Sequence, residues 1–381
     1  MARWIRTSAE VAALAAALRG ARALALDTES DSLHHHKEKV CLIQLASDTG
    51  HAVLIDPLAG ADLAPLGPLF ADPAVAKVLH GADYDVTTLK RDFGFSFAGL
   101  FDTMIAARVL GLPEIGLQAV AAAELGVALS KDSQKDDWSR RPLTPIQERY
   151  ALADVEHLLV LHARLVEKLA AAGRLEWVRE ESDAVAELVA ARRERDPEAW
   201  QRVKGARRLS RRQQAVLRAA YAWREAIARE TDIPSFKILS SEALLAIAGK
   251  QPATMEELKA IRGAVPPRFA ARAPALLAGI QDAGALAEDS LPRMPHVARP
   301  VVTDATRRRI DALKKWRTAE SARLQLDVSV VLPQRLLEQV AEKPPARAED
   351  LLRIEGFRRW RVAAFGPSLV AAAVAPPPAA G

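Results

Sequence analysis

The sequence predicts a mixed α/β domain followed by two small all-α helical bundles, and three observations carry that prediction. Short runs rich in Val, Ile and Leu (ALALDTES, KVCLIQLAS, HAVLIDPL, VAKVLHGA) alternate with polar or helical stretches over the first hundred residues, which is the pattern of a sheet with packed helices. From Pro145 onward helical spacing takes over. Finally, segments opening at Trp223-Arg224 and Trp316-Arg317 match one another without a gap as far as Gly263 and Gly356, and a repeat at fixed offset means two domains of one fold.

Taken in order, MARWIRTSAEVAALAAALRG reads as an amphipathic helix, because Glu10 interrupts its alanine-rich stretch and the apolar residues follow helical spacing. ALALDTES, KVCLIQLAS and HAVLIDPL read as three sequential strands, an antiparallel meander opening a mixed sheet. A helix is expected from Leu63 to Phe70, a strand at VAKVLHGA and a helix at DVTTLKRDFG. From Pro145 to about Ala172, Ile146, Tyr150, Leu158, Leu161, Leu165 and Leu169 recur at helical spacing, predicting one long helix with Pro145 near its start, where a missing N–H costs little. A charged helical stretch to about Val203 leads into the basic run KGARRLSRRQQ.

In the repeats, Leu239 matches Leu332, Leu244 matches Leu337, Pro252 matches Pro345, Glu256 matches Glu349, Leu258 matches Leu351 and Ile261 matches Ile354. Leucines at helical spacing make each copy a small bundle. The divisions that follow are an α/β domain with a trailing helix over 1–200, a first helical domain over 205–285, a Pro- and Ala-rich linker over 286–303, a second helical domain over 304–374 and a flexible tail over 375–381.

Composition narrows the function. Half the residues are apolar and 27% charged, as in a folded chain, and no apolar run reaches the ~18–20 residues that span a membrane. A single cysteine, Cys41, excludes an intramolecular disulfide and points to the reducing cytoplasm; set in VCLIQLA, it reads as a buried small hydrophobe. The net charge of +5 is unevenly placed: residues 1–172 carry 17 Lys/Arg against 22 Asp/Glu, the remainder 36 against 26. An acidic front and a basic back suit carboxylate chemistry on a polyanion held by its phosphates.

Asp27 and Glu29 stand two apart at the end of a strand, so both carboxylates project from one face. Tyr150 and Asp154 stand four apart on a helix and also share a face. Asp85 follows a predicted strand in LHGADYDVTTL, with Asp83 competing for its place. Four carboxylates at one point repel unless cations neutralise them, so a divalent metal is implied. Oxygen-only ligation favours Mg²⁺ or Mn²⁺. His34, His35 and His36 diverge as neighbours on a loop and are a poor ligand set.

DTE, HGADYDVTTL and YALADVEHLL, in this order, resemble the three motifs of the DEDD exonucleases in their tyrosine-containing branch. KVCLIQLA, VLIDPL, FDTMIAARVLG, DDWSRRPLT and WQRVKGARRLSRRQ resemble ribonuclease D in particular, and the tandem repeats resemble the helicase-and-RNase-D C-terminal (HRDC) domain. The resemblance covers nearly all of residues 20–374. It implies a ribonuclease H-like mixed sheet with flanking helices, and 3′→5′ exonucleolytic hydrolysis of RNA, tRNA precursors and other structured-RNA 3′ tails among them, to nucleoside 5′-monophosphates. It also implies two divalent ions, one on Asp27, Glu29 and Asp154 and the other on Asp27 and Asp85, with Tyr150 orienting the attacking water; Asp85 is the residue at the family position. Ser30 stands where ribonuclease D often has an aromatic residue, and DTESDSL also resembles the first motif of polymerase proofreading exonucleases, which digest DNA. A DNA exonuclease and a binding module without activity are the alternatives.

Thr28, Leu33, His80, Lys204, Arg207 and Arg208 are candidate nucleic-acid contacts, Leu33 as a wedge beside the terminal base. Arg192, Arg193, Arg195, Arg211 and Arg212 extend the basic set, which together with the HRDC-like repeats is expected to hold the RNA body while the 3′ end enters the nuclease. Asp102 reads as a helix cap, Trp138 as packing or a nucleotide border, and Trp223 and Trp316 as bundle core.

Overall fold

The computed structural model describes residues 3–130, 132–190, 196–295 and 303–374. Two units emerge: one holds Met1–Glu29, Val40–Ala191 and Pro300–Gly381, the other Ser30–Lys39 and Arg192–Arg299. Arg192, Arg193, Arg195, the end of the expected linker and the expected tail lie outside the described residues.

The first unit is built on six strands: β1 (Arg3–Ile5), β2 (Ala23–Ser30), β3 (Val40–Ser47), β4 (Ala52–Ile55), β5 (Ala76–Leu79) and β6 (Leu100–Asp102), in the order β1-β4-β3-β2-β5-β6. β1 runs parallel to β4, β5 parallel to β2 and β6, and β3 antiparallel to β4. The amino terminus therefore differs from its expected helix. Trp4 and Ile5 pair with Leu54 and Ile55, and the helix α1 (Ser8–Ala17) begins only after Thr7, which forms a capping box with Glu10.

Alternation along the strands sorts the core into two layers. Leu24, Leu26, Ile43, Leu45, Val53 and Ile55 pack with α1, with α2 (Gly67–Ala71) and with α3 (Asp83–Phe93). Ala25, Ala46 and Val78 face the other way. That second face is covered by α4 (Thr103–Leu110), α5 (Leu117–Leu125), α6 (Pro145–Glu156) and α7 (Leu158–Ala171). Thr144 caps α6 in a capping box with Gln147, and Pro145 takes the first turn as expected. The single long helix is in fact two, because the chain turns at His157 (φ −98°, ψ −10°) with no Gly or Pro to announce it. The next helix, α8 (Leu175–Ala186), is followed elsewhere in the chain by the first repeat, α9 (Arg211–Thr231), α10 (Ser235–Ile238), α11 (Ser241–Lys250), α12 (Met255–Lys259) and α13 (Ala273–Gly284). The second repeat comprises α14 (Asp304–Leu324), α15 (Val328–Val331), α16 (Gln334–Glu342) and α17 (Arg359–Val374).

The matched leucines of the two repeats share their burial: Leu239, Leu244 and Leu258 are buried, as are Leu332, Leu337 and Leu351, while Glu256 and Glu349 are exposed and Ile261 is buried deeper than Ile354. The two copies nevertheless lie in different surroundings. The second copy continues the core of the sheet unit: Leu161, Leu165 and Val178 belong to one apolar cluster with Leu313, Leu337 and Trp360. Trp177 of α8 stacks on Trp360 with ring centroids 4.3 Å apart. Glu180 accepts from the backbone N–H groups of Arg359 (2.7 Å) and Trp360 (2.9 Å), capping α17 from another helix, and Glu181 pairs with Arg361 at 3.0 Å. Gly111, at φ +78°, meets the Gln325 carbonyl so closely that a Cβ would stand 2.4 Å from it. Only glycine fits there.

In the second unit the first repeat has its own core around Trp200, Leu217, Leu244 and Leu276. Arg207 donates to the Pro295 carbonyl, Arg211 to those of Glu288 and Leu291, and Arg212 to that of Gly284 and to the Glu288 carboxylate. Part of the basic run thus fastens the repeat's own C-terminal segment. The segment Ser30–Lys39 belongs to the same unit. Asp232, at the C-terminal end of α9 in a left-handed conformation (φ 51°), binds His35 Nδ1 at 2.6 Å and accepts from the N–H groups of His36 and Lys37. The histidine run therefore anchors backbone. Among the described residues no helix is long and apolar enough to cross a membrane.

Candidate active site

β2 ends with Asp27 and Glu29 on the same face as Ala25, so the strand delivers two half-buried carboxylates beside the second layer of helices. α6 brings Asp154 to them. One carboxylate oxygen from each of Asp27, Glu29 and Asp154 lies within 4.8 Å of the others. Tyr150, one turn earlier on α6, donates its hydroxyl to Asp154. Its ring packs 6.0 Å from that of Trp138, which is buried among Cys41, Leu42, Leu54 and Ala151. Trp138 is therefore packing.

Asp85 sits in the first turn of α3, buried, and accepts a short hydrogen bond from the hydroxyl of Thr28. Asp83 is exposed. The turn that leads into α3 is held by Asp102, which is buried at the end of β6. Its carboxylate accepts from Gly81 N (3.0 Å), Ala82 N (2.8 Å) and, capping α4, from Met104 N (2.8 Å) and Ile105 N (3.2 Å). Asp102 is thus the cap its position suggested, and one that also fixes the approach to Asp85. His80 binds Thr103 Oγ1 through Nδ1 at 2.9 Å, and burial lowers its pKa.

The electrostatics follow first from burial and, for Asp27 and Glu29, also from crowding. Burial, then the charges of Asp85, Glu29 and Asp154, raises Asp27 well above the usual carboxylate range. Burial and the charges of Asp154, Asp85 and Asp136 push Glu29 up to about 9. Burial takes Asp85 to about 7 against the opposing Thr28 bond, and Asp154 to about 7 against the bond from Tyr150. Burial and the surrounding carboxylates hold the Tyr150 phenol above its ordinary value, so it keeps its proton. Buried carboxylates that resist ionisation are stabilised by a hard cation beside them, and every donor is oxygen. The residues fit a divalent metal.

The remaining expected contacts are scattered. Leu33 is exposed in the Ser30–Lys39 segment. Lys204 and Arg208 are exposed with no side-chain hydrogen bond or ion pair among the described residues, whereas Arg207 holds a carbonyl. Sequence reading gave no role to Asp136, whose charge acts on Glu29; its place two residues before Trp138 in KDDW was the available signal. It also missed that Thr28 turns its hydroxyl to Asp85.

A 3′-5′ exonuclease family profile matches residues 2–170, and an HRDC-domain profile matches 213–280 and 307–372. Ribonuclease D of Acidiphilium cryptum is 33% identical over 95% of this chain and 90% of its own, and that of Pseudomonas paraeruginosa 34% identical over 94% and 95%. Among solved structures, Escherichia coli RNase D, described as an exoribonuclease involved in structured RNA processing, superposes with a TM-score of 0.69 at 28% identity over 98% of both chains. The catalytic core of RRP6 from Trypanosoma brucei gives 0.66 at 29% identity over 75% of this chain and 81% of its own. Sheet, carboxylate cluster and matches together define a 3′→5′ exonuclease that depends on a divalent metal. The chain belongs to the ribonuclease D family, and it is a hydrolytic exoribonuclease acting on RNA.

Proposed function

We propose that the chain removes nucleoside 5′-monophosphates from the 3′ ends of structured RNAs, tRNA precursors first among them, using Mg²⁺ or Mn²⁺ in two sites. The observation that carries this reading is the convergence of Asp27, Glu29 and Asp154 within 4.8 Å, with Tyr150 bonded to Asp154. Asp27, Glu29 and Asp154 would hold one ion, Asp27 and Asp85 the other. When bound, the ions supply the positive charge that activates an attacking water and stabilises the leaving 3′ oxygen. Tyr150, kept protonated, directs its O–H to Asp154 and leaves the phenol lone pairs to accept from that water, orienting it without taking its proton. Thr28 steadies Asp85, and Asp102 steadies the turn before it. The buried free thiol of Cys41 agrees with work in a reducing cytoplasm.

Incubating the full chain with tRNA precursors labelled at the 3′ or the 5′ end tests the reading, with Mg²⁺, Mn²⁺ or EDTA and with matched DNA alongside. The 3′ label should appear first, as mononucleotide, and EDTA should stop its release. Internal fragments, or undiminished cleavage in EDTA, would reject the assignment.

A further inference from the structure

Gln44 lies in the middle of β3, fully buried, and neither its Nε2 nor its Oε1 has a hydrogen-bond partner among the described residues. Buried amides are rarely left so, and one that is calls for an explanation. Its position can be fixed from both sides. Along β3 its same-face neighbours are Leu42, packed with Ala151 of α6, and Ala46, in one cluster with Ala25 and with Val155 of α6. Gln44 is therefore under the turn of α6 that carries Asp154.

Across the sheet, the N–H of Asp48 donates to the carbonyl of Ala23 at 3.2 Å, and that of Asp31 to the carbonyl of Lys39 at 3.4 Å, so β2 and β3 are antiparallel. Counting inward by twos from Ala23 and Asp48, Ala25 stands beside Ala46, in agreement with their lying on one face of the sheet, and Asp27 beside Gln44. Same-face neighbours on paired strands have Cβ atoms about 4.5–5.5 Å apart. On the β4 side Gln44 is paired with Leu54, which offers no polar group. On the β2 side the register sets Asp27 beside it.

We infer that Gln44 is a positioning residue for the carboxylate site: its amide N–H groups serve the sheet-side oxygens of Asp27 and Asp154 through one water. A donor on that side favours the ionised form and turns the free oxygens toward the cation, as partners behind a metal ligand do. An apolar residue would pack as well between Leu42 and Ala46, so packing alone gives no reason for an amide here. The inference rests on the reading of Asp27, Glu29 and Asp154 as metal ligands, and an Asp27 variant separates the two.

The test uses the full chain and four measurements: Mn²⁺ affinity without RNA from the spectroscopic signal of free Mn²⁺, melting temperature in EDTA, and kcat and KM on a single-stranded RNA. Gln44→Met, similar in length and apolar, should melt in EDTA no lower than the parent. It should bind Mn²⁺ about tenfold more weakly or worse, and lower kcat with KM for RNA unchanged. Gln44→His, which keeps an N–H donor, should recover part of the Mn²⁺ affinity. Unchanged Mn²⁺ affinity and kcat in Gln44→Met would overturn the inference, and Gln44→Leu decides the matter if Gln44→Met does not fold. If neither folds, the amide is a folding determinant and the inference falls. Asp27→Asn serves as the control. Should it bind Mn²⁺ like the parent, the reading of the site fails; should it lose Mn²⁺ while Gln44→Met keeps it, only the role of Gln44 fails.

Discussion

Thr28 sits between two carboxylates in sequence yet gives its hydroxyl to a third, Asp85, from a different element. Replacing Thr28 by Val keeps the shape and removes the donor. Thr28→Val should therefore slow release of the 3′ label roughly tenfold, within the range for partners behind a metal ligand, while Thr28→Ser stays near the parent rate; equal rates for Val and Ser would remove the role. Burial of the carboxylates has a second consequence, for stability without metal. The folded-state pKa values of Glu29 (about 9), Asp85 and Asp154 (about 7 each) lie above the ordinary values of 4.5 and 3.8. The folded chain thus holds protons that the unfolded chain has already released, and this contribution to stability is present below pH ~4 and lost as pH rises toward ~9. In EDTA the melting temperature should fall from pH 5 to pH 8, Mn²⁺ should restore more at pH 8 than at pH 5, and Asp27→Asn should flatten the trend. A melting temperature in EDTA that rises over this interval in the parent would contradict the burial argument. Much of the site was legible because Asp27 with Glu29, and Tyr150 with Asp154, need only the period of one strand or one helix. Thr28 with Asp85, and Gln44 with Asp27, depend on which elements become neighbours, which no local period records.

Between elements, the joint of α8 with α17 shows how a repeat becomes part of an enzyme. Trp177 stacks on Trp360, Phe365 stands 5.7 Å from Trp177, and Glu180 caps the helix that carries both partners. Trp360 is 3% exposed, and removing a buried aromatic side chain typically costs about 3–5 kcal/mol. Trp360→Ala should lower the melting temperature of the nuclease together with that of the second repeat, in one transition. Two separated transitions, with the nuclease unmoved, would show the joint to be superficial. It was hidden in the sequence because Trp177 and Trp360 lie far apart and neither is near the catalytic motifs. Short elements were missed for a different reason: β1 and β6 have three residues each, too few for any alternation to register. The longer strands and α3 followed from their patterns, and the break at His157 had no local cause to read.

For the whole molecule, positive charge is not equivalent to RNA-binding charge. Arg211 and Arg212 are engaged with carbonyls and with Glu288, whereas Lys204 and Arg208 are exposed without side-chain partners among the described residues. Neutralising Lys204 and Arg208 together should weaken binding of a tRNA precursor and flatten its log–log dependence on salt by about 0.7–0.9 for each phosphate that is no longer neutralised. An unchanged slope would place the RNA elsewhere. The repeat itself was plain in the sequence, but not which copy joins the nuclease, since both carry the same leucine pattern and excess charge of the same sign. The sheet unit is therefore discontinuous, closing only with residues that follow the first repeat. A chain leaves the ribosome at about 5–20 residues per second, N-terminal parts folding first. Asp27, Asp85 and Asp154 are made before the second repeat, yet the apolar face that α17 covers stays open until α17 has been made. An unfinished or C-terminally clipped chain thus lacks part of the support for its nuclease, and a fragment able to degrade RNA without the rest of the protein is disfavoured from the start of synthesis.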